Sequence, residues 1–177
     1  MAQTATPASH LTWISVLRTR YLPIRARLEQ LPFSLVQLAM RISIGFVFFN
    51  SGLLKARSFE FAVKLFQDEY RLPFPPPELA ARMAMSVEII VPLFLFVGLA
   101  TRLATLPLLG MVAIIELLVY PQAWVEHLLW ASTLIVLLTR GAGVFSLDHL
   151  IERALAGRMD ARSLPKRPTK TERSASR

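Results

Sequence analysis

The chain contains no cysteine among its 177 residues. That removes structural disulfides, CxxC redox exchange, thiolate metal ligation and an iron–sulfur cluster held by this chain alone. Histidine is almost as scarce: His10, His127 and His149 are all there are. A bundle gripping its own haem between two imidazoles is therefore not expected, and no metal-ligand set is assigned. Charge is thin as well, at 18% of residues, where soluble domains carry about 25%. The glycines between Arg140 and Val144 lack the lysine and strand–turn–helix setting of a phosphate loop.

Apolar residues fill the space, at 54% of the chain with a mean hydropathy of +0.46. They fall into four blocks, about 33–54, 83–100, 103–120 and 123–140. Crossing a ~30 Å hydrocarbon layer takes roughly 17–25 helical residues, which the first three satisfy directly and the fourth with help from its ends. The expected fold is all-α: a polytopic membrane protein built as an antiparallel bundle of four transmembrane helices with short interfacial helices. Pro32 opens the first helix, Thr101–Arg102 turns the second into the third, Pro121 ends the third, and Gly141–Ala142–Gly143 ends the fourth. Pro92 and Pro107 lie inside helices, which membrane spans tolerate.

Around this core the sequence divides into a basic amphipathic N-terminal segment (1–32), an external loop (55–82), an amphipathic helix (141–156) and a basic tail expected to be disordered (157–177). Stripes at helical spacing mark the flanks: Ile14, Leu17, Tyr21, Ile24 and Leu28; Phe59, Val63, Phe66 and Tyr70; and Leu147, Leu150, Ile151, Ala154 and Leu155 behind a Ser146 N-cap. They are read as resting on lipid headgroups. Lys and Arg are distributed fourteen to five between the two sides, which places both termini in the cytoplasm. No cleavable signal peptide is expected. The basic tail, without aromatics beside it, points to anionic lipid and not to nucleic acid.

A charge in mid-bilayer costs about 2.5–3.5 kcal/mol, so Arg41, Glu88, Glu116 and His127 each need a reason. Gln37, Arg41, Gly45, Phe48, Gly52 and Lys55 recur on one polar, small face of the first helix, the face expected to turn inward. At 1.5 Å per residue Arg41 lies about 12 Å from the cytoplasmic edge, and Glu88, Glu116 and His127 about 20 Å from it. Two readings follow. Glu88 pairs with Arg41 or Lys55 and Glu116 with His127, locking the bundle; or Arg41, Glu88, Glu116 and His127 line a pocket for a quinone head group or a proton relay, with Lys55, Asn50 and Arg102 as pairing partners.

The series Arg41-Ile42-Ser43-Ile44-Gly45-Phe46-Val47-Phe48, Ser51-Gly52-Leu53-Leu54-Lys55, Leu72-Pro73, Glu88, Val97-Gly98-Leu99-Ala100-Thr101-Arg102, Tyr120-Pro121 and Gly141-Ala142-Gly143-Val144-Phe145-Ser146-Leu147-Asp148 resembles the DoxX family over about residues 35–155. Gly45, Gly52 and Asp148 stand at motif positions, and the family's recurrent polar residues fall on Arg41, Lys55, Glu88, Arg102 and Asp148. Glu116 and His127 are less general. The resemblance implies a multi-pass protein of the bacterial inner membrane, serving as membrane subunit or accessory of a quinone-linked oxidoreductase or oxidative-stress complex. It implies a partner protein carrying the redox centre, with quinone as the cofactor at hand. The alternatives are a non-enzymatic anchor that recruits a partner and, more remotely, a small-solute or metal transporter.

Overall fold

The computed structural model describes Arg18 and residues 21–163, with the side chains of residues 26–29 and 158–163 left aside. Ile14, Leu17 and the tail beyond Ser163 lie outside the described residues. Among the described residues there is no strand. The chain is all-α and polytopic: helices α1 (Leu22–Glu29), α2 (Phe33–Arg57), α3 (Phe59–Leu65), α4 (Pro77–Val97), α5 (Thr101–Ile114), α6 (Trp124–Arg140) and α7 (Leu147–Ser163) follow in order. Two π-turns, Phe66–Tyr70 and Ile115–Val119, extend α3 and α5. Among the described residues, three helices are long and apolar enough to cross a membrane: α2, α4, and α5 with its π-turn. The 17-residue α6 packs beside α5 and α2.

The helix limits follow from backbone chemistry. α4 starts at Pro77, six residues ahead of the apolar block, because proline suits the first helical position and Glu78 favours the helix N-terminus. It stops at Gly98, whose φ of +68° makes a left-handed cap; Leu99 N–H donates to Phe94 O and Gly98 N–H to Leu95 O. The segment expected as an external loop, with its stripe at helical spacing, is partly helical: α3 and its π-turn lay Ala62 and Phe66 on Ala80 and Ala81 of α4. Helix α7 runs on to Ser163, past the expected end near residue 156.

One core joins the four long helices, with Ile44 and Phe48 from α2, Leu95 from α4, Leu108 and Val112 from α5, and Leu134 and Leu137 from α6. Gly52 lets α2 meet α4 closely; a Cβ there would stand 2.8 Å from Ile89 Cγ1 and 2.9 Å from Glu88 Cβ. The outer surface is itself apolar. Phe46, Ile90, Leu103, Leu106, Leu117, Leu128 and Leu129 are all exposed. Such a continuous greasy belt belongs against acyl chains.

Candidate functional site

The inward face of α2 buries Gln37, Arg41, Gly45, Phe48, Gly52 and Lys55 together. It serves two separate polar centres, one at each end of the bundle.

At the basic end, Arg41 is wholly buried and donates from Nη2 to Phe145 O at 2.5 Å. Gln37 Nε2 donates to Gly141 O at 2.9 Å. Asp148 accepts from the Ala100 and Thr101 N–H groups at 2.7 and 3.0 Å, and its own N–H donates to Gly98 O. Asp148 therefore caps α5, while Ser146 caps α7 by accepting from the His149 N–H at 3.2 Å. These groups tie the Gly141–Asp148 loop to the α4–α5 turn. Arg102 is exposed at the rim of this end, and Asn50 is exposed on the outer flank of α2. Neither joins a buried pair.

At the opposite end, Lys55 Nζ donates to both carboxylate oxygens of Glu88, at 2.7 and 2.9 Å, and to Ser51 Oγ at 2.8 Å. Both members of the ion pair are buried. A second pair joins His127 Nδ1 to Glu116 Oε2 at 2.6 Å, with the Trp130 ring 5.3 Å from the imidazole. Arg41 reaches neither pair, since its guanidinium is committed to the loop.

Two cavities meet at the Lys55–Glu88 pair. One, of about 300 Å³, lies between α4 and α5 and is apolar apart from Lys55, Tyr70 and Glu88. The other, of about 270 Å³, is lined by Ser51, Tyr120, Glu126, His127 and Trp130, again with Lys55, Tyr70 and Glu88. Lys55, Tyr70, Glu88 and Ile115 belong to both.

The tyrosines are what sequence reading missed. Each closes a π-turn, a distortion that recurs at functional sites. Their rings meet edge to face at 6.0 Å, and the Tyr120 hydroxyl donates to Glu69. Burial, with the Glu88 and Glu69 charges behind it, pushes the Tyr70 phenol up to about 12. The Tyr120 phenol also rises to about 12, chiefly through its bond to Glu69. Both remain proton donors at physiological pH. Among the described residues no three His, Asp or Glu side chains converge as a metal site.

Comparison with known proteins fits this architecture. The DoxX family profile matches residues 36–121, from the inward face of α2 through the second π-turn. Residues 36–121 are similar to a DoxX domain. The DoxX stretch thus contains Arg41, Lys55, Glu88, Glu116 and both tyrosines, while His127 and the Asp148 cap lie beyond it. An uncharacterized protein of Haemophilus influenzae is 29% identical over 126 residues, covering 66% of this chain and 83% of that protein. No solved structure matches.

Proposed function

We propose that this DoxX-domain membrane protein holds a quinone head group at Lys55–Glu88 and manages its protons, as the membrane subunit or accessory of an oxidoreductase whose redox centre sits on a partner protein. The observation that carries the reading is the meeting of an apolar and a polar cavity at one buried, charge-neutral ion pair. A quinone needs an apolar slot for its ring, donors for its carbonyl oxygens, and a proton for every electron it accepts. The Tyr70 hydroxyl is the donor at the junction, since the three Lys55 Nζ protons already go to Glu88 and Ser51. His127 and Glu116 form the exchangeable pair behind it, an imidazole and a carboxylate 2.6 Å apart and able to hand a proton from one to the other. Tyr120 and Glu69 link the junction to the surface. In this reading the electrons come from the redox centre on the partner protein.

The fourth crossing is assigned to α6. At about 1.5 Å per residue its 17 residues span about 26 Å. An even number of crossings puts both termini on the side rich in Arg and Lys, the cytoplasmic face of a bacterial inner membrane. The Lys55 site then faces the outer leaflet.

The test is purification of the full chain from its own membranes in mild detergent, followed by organic extraction and identification of companions. Quinone in the extract and a cofactor-bearing companion are expected. The Lys55→Met/Glu88→Leu double variant should accumulate normally yet carry no quinone. Extracts without quinone from the unsubstituted chain would contradict the reading. A second reading, an anchor for a partner, draws on Phe61 of α3 and Phe74 of the loop before α4, both exposed. It predicts that Phe61→Ala/Phe74→Ala loses the companion and keeps the quinone.

A further inference from the structure

The apolar cavity reaches the outside of the bundle through its flank. Its inner wall is Lys55, Tyr70 and Glu88, and its outer lip is Met83, Pro107, Gly110 and Ile114. All four lip residues are exposed, on helices long and apolar enough to cross the membrane. The mouth therefore opens onto acyl chains and not onto water.

Gly110 is the gap in that wall. A Cβ built there meets nothing within 4 Å. This contrasts with Gly45 and Gly52, where a Cβ would run into Phe96 and Ile89. Gly110 is thus not a close-packing glycine, and its missing side chain leaves a passage. Tyr70, Leu72 and Pro75 lie at the end where α3 caps the bundle, whereas Gly110 lies midway along its spanning helix.

We infer that this flank is a lateral doorway, through which a lipid-borne ligand with a neutral, hydrogen-bonding ring and a single long chain enters from the outer leaflet. Its ring comes to rest at Lys55–Glu88 and its chain lies past Gly110 towards the bilayer centre. The inference rests on the head-group reading above and adds the route, the orientation and the residue that sets chain acceptance.

Three observations select this occupant. Lys55 is already neutralised by both oxygens of Glu88, so a phosphate or carboxylate head finds no unpaired cation in the cavity. The lining beyond the junction is apolar, as a hydrocarbon chain requires. A volume of about 300 Å³ holds a ring and the first units of one chain, and falls short of a two-chain phospholipid. Water and protons have a separate way in, through the cavity of Tyr120, Glu126 and His127.

The experiment uses the full chain in nanodiscs, with Gly110→Ala, Gly110→Leu and Gly110→Phe as a series of increasing size. Each side chain grows into open space, so melting temperature and yield should match the parent. Two probes are compared: a dimethoxy-methyl benzoquinone without a chain, and the same ring bearing a decyl chain. The parent should bind both. Gly110→Phe should weaken the decyl probe about tenfold, the equivalent of roughly two buried methylenes, and leave the chainless probe unchanged. Gly110→Leu should fall between, and Gly110→Ala should bind like the parent. Unchanged binding of both probes by Gly110→Phe overturns the doorway and leaves the head-group site standing. Equal weakening of both overturns the chain path. If the parent binds neither probe, the head-group site fails and the doorway with it.

Discussion

Removing one member of the Lys55–Glu88 pair leaves the other charged and alone in the bundle, a loss of about 3–5 kcal/mol. Glu88→Gln and Lys55→Met should each lower the melting temperature in detergent sharply. Lys55→Met/Glu88→Leu removes both charges and should recover most of that loss. The rescue separates a stability effect from a binding effect, since only binding stays lost in the double variant. The tyrosines give a second residue-scale test, through the absorbance of their phenolates. Tyr70 and Tyr120 are raised, so the fold holds their protonated forms. Their contribution is whole below pH 10 and fades between about 10 and 12, as the unfolded chain ionises first. Two phenols should therefore titrate near 12. Glu69→Gln should bring Tyr120 down towards 10 and leave Tyr70, governed first by burial, much less changed. Arg41, Glu88, Glu116 and His127 stood out in the sequence because charges inside apolar blocks are costly, and spacing already offered Glu116 to His127 and Glu88 to Lys55 or Arg41. Tyr70 and Tyr120 did not, because a tyrosine in a loop stripe or just past the end of a span is ordinary.

At the scale of elements, the inward face of α2 was legible from spacing alone. Gln37, Arg41, Gly45, Phe48, Gly52 and Lys55 repeat at helical intervals, and the structure buries all six. The π-turns were not legible, because a single extra residue in a turn leaves no trace in the hydropathy pattern. Those turns decide that Tyr70 faces Tyr120. Depth arithmetic set Arg41 about 8 Å from the Glu88 layer, but it cannot say which loop folds back onto a guanidinium. Two glycines test the helix contacts in opposite directions. Gly52→Val should cost about 1–3 kcal/mol by forcing α2 from α4, whereas Gly110→Ala should leave the melting temperature level or slightly higher. Asp148→Ala removes the cap on Ala100 and Thr101 and should cost about 1 kcal/mol, read from the same thermal melts.

For the whole molecule, apolar blocks and charge asymmetry foretold an all-α polytopic chain, because lipid demands internally satisfied backbone and an apolar exterior. The α3 cap was harder to foresee: its stripe fits a headgroup-resting helix as well as one docked on Ala80 and Ala81. The central claim is that the two cavities meeting at Lys55–Glu88 form one binding site, and Trp130 stands on the wall of the polar one. With Trp13 and Trp124 replaced by Phe, Trp130 is the sole indole and reports directly on that space. Titrating the full chain with the chainless benzoquinone should quench its fluorescence along a saturable curve. The curve should vanish in the Lys55→Met/Glu88→Leu background while the melting temperature holds. Identical, unsaturable quenching in both proteins would contradict the account.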